Sequence, residues 1–162
     1  MQHVMKGICL TGWKYTINVL AAMRTADGFG FDDFVIAGKN RLDEEWIKKV
    51  AKRNLVDLVA GLKLTCLPDL ESVMEFISAH HYEPVLLECK EGEDVDAFDW
   101  PANPIIVVGH EVTGIPLDRF PTAPRVHVRM ARTAHSLNLA CAASIAMHAL
   151  HLSEAKASGK KI

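Results

Sequence analysis

The chain contains no uninterrupted apolar run of the roughly eighteen residues that a membrane-crossing helix needs, so no membrane partner is expected. Its N-terminus carries one lysine, Lys6, and no long apolar core before a small-residue cleavage site. A secretory leader is therefore not expected, and the expected setting is cytoplasmic. Four cysteines, Cys9, Cys66, Cys89 and Cys141, are widely spaced without a CxxC pair. That spacing supports neither a zinc site nor a disulfide framework, and reduced thiols with no metal are the expectation. The G-x-G-x-x-G, Walker and G-x-S-x-G patterns are also missing, which argues against dinucleotide dehydrogenases, P-loop hydrolases and esterases. The formal net charge is −2, so there is no overall basic signature. A nucleic-acid binder would need a local patch, for which the candidates are Lys14 with Arg24, Lys39 with Arg41, and Arg119, Arg125, Arg129 and Arg132. Against this stands the plain reading of a solvated surface of mixed sign.

What is present fits one domain over residues 1–162, with 49% hydrophobic residues and no repeat, linker or low-complexity segment. Gly7 to Leu10 reads as a first strand. Thr16 is placed to cap a helix from Ile17 to about Asp27, ended by Gly28-Phe29-Gly30. Asp33 to Ala37 reads as a strand, and Asp43 is placed to cap a helix from Glu44 to Arg53. Val56 to Ala60 is expected to be a third strand or a buried turn, and Pro68 to open a helix through Ala79. Glu83 to Cys89 reads as a strand and Lys90 to Asp99 as an acidic surface loop. The tail from Ser153 is expected to fray. Strands alternating with helices predict an α/β fold, a mostly parallel sheet flanked by helices.

The stretch from Ile105 to Met147 carries the densest chemistry. Ile105 to Val108 is a short apolar, β-branched run, as in a strand buried on both faces, and it ends at Gly109. A polar loop with Glu111 and Gly114 follows. Val126-His127-Val128 is the next β-rich run. Ser136 stands where a cap would, and Asn138 to Leu150 is an alanine-rich helix. Ligands of open α/β sheets lie at the carboxyl ends of strands, where both polar loops fall. Glu111 could be an ordinary surface carboxylate, and Ser136 and Asn138 only a helix start. Asn138, however, stands beyond a simple cap and can both donate and accept at a ribose hydroxyl. His110, His127 and His135 cluster here, and structural or RNA-contact roles are preferred to general-base catalysis.

Gly109-His110-Glu111-Val112-Thr113-Gly114-Ile115 and Ser136-Leu137-Asn138 resemble the second and third motifs of the SpoU/TrmH-type RNA 2'-O-methyltransferases, members of the SPOUT class. Asn18-Val-Leu-Ala-Ala-Met-Arg24 resembles the first motif, an asparagine followed six residues later by an arginine. Three motifs in the right order are far more specific than any one. The resemblance spans nearly the whole chain and implies a SPOUT-type fold with a C-terminal trefoil knot. It implies S-adenosyl-L-methionine as cofactor, held at Leu87, Gly109, Val128, Met130 and Ser136. It also implies methylation of tRNA or rRNA ribose, with Asn18, Arg24, Glu111, Ser136 and Asn138 as catalytic residues. The sequence departs from the family pattern at Leu20, where glycine is common, at His110, where asparagine is common, and at Arg132, where glycine is common. The alternative reading is a non-catalytic RNA- or nucleotide-binding protein that retains the fold. A homodimer is expected: Leu139, Ala140, Ala142, Ala143, Ile145, Ala146, Met147 and Leu150 surround most of the last helix, and the chain's own sheet covers one side only.

Overall fold

The structure is a computed structural model and describes residues 5–38, 61–88, 91–131 and 136–159, together with Glu45 and Lys49. Its elements are β1 (Gly7–Leu10), α1 (Thr16–Gly28), β2 (Asp33–Ala37), β3 (Lys63–Leu67), α2 (Leu70–Ala79), β4 (Glu83–Glu88), β5 (Glu93–Asp94), β6 (Pro104–Val108), a short 3-10 turn (Leu117–Arg119), β7 (Arg125–His127) and α3 (Leu139–Ala157). The seven strands form one sheet in the order β3-β2-β1-β6-β4-β7-β5, and every pairing is parallel. The mostly parallel sheet expected from the sequence is thus parallel throughout the described residues.

The two faces of the sheet follow from the alternation of side chains along each strand. Ile8 and Leu10, Phe34 and Ile36, Ile106 and Val108 point to one face, where they pack with Val19 and Met23 of α1 and Ala143, Met147 and Leu150 of α3. Cys9, Val35, Ile105 and Val107 point to the other, against Val73, Phe76 and Ile77 of α2. Apolar residues on both faces are what a parallel sheet covered by helices demands. Cys9 is fully buried there, and burial pushes its thiol up to about 12, so it stays a neutral core residue.

The topology sets the site. From β1 the chain builds outward through β2 and β3, then returns to place β4 beyond a slot that β6 fills later. The carboxyl ends of β1, β4, β6 and β7 therefore open on one edge around a reversal of strand order, the place where such sheets bind ligands.

Several boundaries differ from expectation. Thr16 lies inside α1. The cap position is Tyr15, in extended backbone and without a side-chain cap bond. Asp69, rather than Pro68, caps α2, its carboxylate accepting from the Ser72 N–H at 2.9 Å. Those hydrogen bonds to Ser72 hold the Asp69 carboxyl below its usual range. The Lys90–Asp99 loop contains β5, which pairs with β7. The cap of α3 is Asn138, not Ser136: its Oδ1 accepts from the N–H groups of Ala140 at 2.9 Å and Cys141 at 3.3 Å. That helix continues to Ala157 instead of fraying at Ser153, because the buried Lys6 ammonium donates to Glu154 and ties its last turns to β1. β3 lies at Lys63–Leu67, whereas Val56 to Ala60 and most of the Glu44–Arg53 helix lie outside the described residues.

Ile106 sits in the central strand and is fully buried among α1 and α3. Ile106→Ala should lower the unfolding free energy by about 2–5 kcal/mol, as a buried large-to-small change leaves a cavity. Urea unfolding with an unchanged m-value checks this.

Candidate active site

A cleft of about 540 Å³ opens at the carboxyl ends of β4, β6 and β7. Leu87 and Glu88 come from β4, Val108 to Ile115 from the end of β6 and its loop, Val128 and Met130 from the segment after β7, and Ser136 to Leu139 from the start of α3. Tyr15 and Asn18 reach it from α1. All five residues expected to hold a cofactor, Leu87, Gly109, Val128, Met130 and Ser136, line this one cleft. The size lies within the range of small-molecule sites.

One chain of hydrogen bonds runs behind the opening. Asn18 Nδ2 donates to Glu111 Oε1 at 2.9 Å, and the Lys14 backbone N–H donates to Glu111 Oε2 at 2.7 Å. Asn138 Nδ2 donates to Asn18 Oδ1 at 3.0 Å, while Asn138 Oδ1 caps α3. Asn18 is buried, so its amide needs both partners. The approach to α1, the loop after β6 and the start of α3 are thereby fixed to one another. Burial pushes the Glu111 carboxyl upward. The opposing hydrogen bonds from Asn18, its own backbone and Lys14 prevail and hold it below its usual value. Glu111 is therefore a carboxylate at neutral pH.

Gly109 has a tighter requirement than ligand approach. A Cβ there would lie 2.4 Å from the Gly114 carbonyl carbon and 2.5 Å from the Ile115 nitrogen. The loop closes on itself through paired backbone bonds between His110 and Gly114, and Gly114 has φ +69°. A side chain at Gly109 would push that loop out, so such a change disturbs the cleft wall as well as any ligand.

The profile described as the SpoU rRNA Methylase family matches residues 6–148. The chain belongs to that family. Its fold is shared with the SpoU methyltransferase AviRb from Streptomyces viridochromogenes in complex with AdoMet, at 19% identity and a TM-score of 0.78 over 96% of this chain and 63% of the other. It is shared with the A. aeolicus TrmH/SpoU tRNA modifying enzyme at 16% identity and a TM-score of 0.74, over 98% and 79%. A third, described by the words "Structural insights into the 2-OH methylation of C/U34 on tRNA", has 15% identity and a TM-score of 0.72, over 98% and 100%. The chain spans less than two thirds of the length of AviRb. No match is found among curated proteins.

Within this SpoU family chain, the motifs do not all converge. Arg24 is exposed on α1, does not line the cleft, and has no ion-pair partner among the described residues, Asp27 included. Three of the arginines considered for a basic patch are neutralised: Arg119 pairs with Glu71, Arg125 with Glu91, and Arg129 with Asp94 at 2.6 Å. Lys39, Arg41, Arg132 and His135 lie outside the described residues. His127 Nδ1 sits 3.1 Å from the Gly92 carbonyl and ties β7 to the start of β5, a structural role. Tyr15, Glu88 and Ala142 also line the cleft and were not singled out from the sequence. Their signal is positional: a strand end, the approach to a motif helix, and the turn after the Asn138 cap.

The lowered Glu111 carboxyl fixes the sign of a pH effect. Its folded value lies below the ordinary 4.5, so its ionised form stabilises the fold above 4.5 and the contribution is lost as pH falls through the folded value. Glu111→Gln should melt below the parent at neutral pH, and the difference in Tm should close in acid beneath 4.5. Thermal unfolding of both proteins across that range checks it.

Proposed function

We propose that the chain is a single SPOUT-type domain with a C-terminal trefoil knot, and that it transfers a methyl group from S-adenosyl-L-methionine to a ribose 2'-hydroxyl of tRNA or rRNA. The observation that carries this reading is the hydrogen-bonded chain Glu111–Asn18–Asn138, which joins one residue from each of three motifs at the wall of a single cleft. A surface carboxylate and two incidental helix starts would not be linked in this way. Family membership supports the reaction class.

The cleft suits the donor. Leu87, Val128, Met130 and Leu139 supply apolar walls for a flat purine, and the backbone beside Gly109 supplies donors and acceptors at a strand end. S-adenosyl-L-methionine supplies the reactive methyl group when bound. The protein's part is mostly positioning, which accounts for a large share of the rate when two reactants must align. Glu111 holds the loop and α1 at fixed separation, and Ser136 and Asn138 present polar groups at the cleft edge. A guanidinium is a fixed cation with donors only and no acceptor, so Arg24 serves by clamping RNA phosphate and ribose. Because it does not line its own chain's cleft, it acts on the cleft of a second subunit.

That assignment requires a homodimer, and the exposed apolar residues support one. Ile17 and Tyr15 near the start of α1, Val112 in the loop, and Leu137 and Ile145 at α3 are all open to solvent in the single chain. They lie on the elements that frame the cleft.

Isothermal titration with S-adenosyl-L-methionine, followed by methyl transfer to total RNA and mass spectrometry of the nucleosides, tests the function. A 2'-O-methylated nucleoside is expected. Cofactor binding with no transfer to any RNA would instead support a non-catalytic binding protein. Arg24→Ala should keep the fold and cofactor affinity and lose about a hundredfold or more in transfer. Arg24→Lys should recover little, because a point charge cannot replace the planar fork. Light scattering at micromolar concentration should give a dimer mass, and a monomer mass would remove the shared-site assignment.

A further inference from the structure

A second cavity, about 230 Å³, lies on the far side of the loop after β6. Thr11, Leu70, His110, Thr113, Gly114 and Pro116 line it, and His110, Thr113 and Gly114 also line the first cleft. One loop therefore forms a common wall between two recesses at the same sheet edge. We infer that this second cavity is a subsite for the base of a nucleotide neighbouring the one held at the main cleft. The inference rests on the RNA reading above.

The chemistry of the wall selects a base over a phosphate. The start of α2 borders the cavity at Leu70, and a helix start would ordinarily attract an anion. Here Asp69 already caps that helix, accepting from the Ser72 N–H and hydroxyl, and its carboxyl is held below the usual range. That carboxylate, on the residue next to Leu70, already occupies the helix start where a phosphate would bind. Among the described residues, no lysine or arginine lines the cavity. What lines it is apolar surface from Leu70 and Pro116 with hydroxyls from Thr11 and Thr113, suited to a flat ring with a polar edge.

His110 gives the wall a defined polarity. The Val112 backbone N–H donates to His110 Nδ1 at 3.1 Å, so Nδ1 is the unprotonated nitrogen and Nε2–H is the ring's remaining donor. The ring lies close over Gly12, where an added Cβ would come within 3.2 Å of His110. The Thr11 hydroxyl donates to the Val108 carbonyl at 3.1 Å, leaving its lone pairs to accept. A preset donor beside a preset acceptor reads a base edge, whereas a backbone contact needs no such pairing.

The test uses the whole protein saturated with S-adenosylhomocysteine and fluorescein-labelled oligouridylate, oligocytidylate, oligoadenylate and a base-free oligoribose phosphate of equal length. The parent should prefer one homopolymer over the others by about fivefold or more, in keeping with a single stacked base. Leu70→Trp, which fills the cavity floor without touching the first cleft, should erase that preference. It should leave S-adenosylmethionine affinity by calorimetry within about twofold. The base-free chain should bind both proteins alike. Homopolymers bound equally by the parent, or a preference that survives in Leu70→Trp, would overturn the subsite. The parent needs no variant to give the first of these results, so misfolding of Leu70→Trp cannot hide a failure. Methyl transfer to total RNA is measured in parallel. Base preference without transfer sinks the catalytic reading and keeps the subsite, while transfer without preference does the reverse.

Discussion

The Glu111 carboxylate is the fixed point of this structure's working edge. One oxygen takes the Asn18 amide and the other takes the Lys14 backbone N–H, and Asn18 in turn takes the amide of Asn138. Three segments far apart in sequence are thereby held at one spacing. A buried asparagine tolerates no lost partner cheaply, so each bond enforces the others. The parallel sheet supplies the frame: β6, inserted between β1 and β4, delivers the Glu111 loop to the point where α1 and α3 begin. The cleft exists because that loop closes back on Gly109 at a distance only glycine allows.

Much of this was legible in the sequence, for physical reasons. The strands Gly7–Leu10, Asp33–Ala37 and Ile105–Val108 are short β-branched or apolar runs bounded by turn residues, and these found their places almost without correction. β3 was missed because Lys63-Leu-Thr-Cys-Leu is a half-exposed edge strand and lacks a fully apolar run. β5 was missed because two acidic residues at a sheet edge look like a loop until β7 pairs with them. Helix caps misled most. Ser136, Thr16 and Pro68 are favoured start residues, but which of several neighbours caps is settled by tertiary contacts. Asn138 wins because the same amide that caps α3 also reaches Asn18.

The site was legible as a set and not as a geometry. Residues chosen for a cofactor share one cleft, and three of the five chosen for catalysis are hydrogen-bonded to one another. Arg24 stands apart: about 120° round α1 from Asn18, it does not share the cleft that Asn18 lines, although that angle would have let both border one pocket. Three of the arginines that looked like an RNA patch, Arg119, Arg125 and Arg129, are spent on Glu71, Glu91 and Asp94, and no sequence pattern flags pairings across such distances. Charge in the sequence therefore overstated the free positive surface among the described residues.

Asn18, Glu111 and Asn138 act as one unit that shapes the cleft. A double-mutant cycle of Asn18→Ala and Asn138→Ala, read out as S-adenosylmethionine affinity by calorimetry, tests it most directly. The unit predicts strong coupling, with the double variant losing less than the sum of the singles by about 0.5–3 kcal/mol. Losses that add within about 0.3–0.5 kcal/mol would mean that the two asparagines act independently, and would contradict the account.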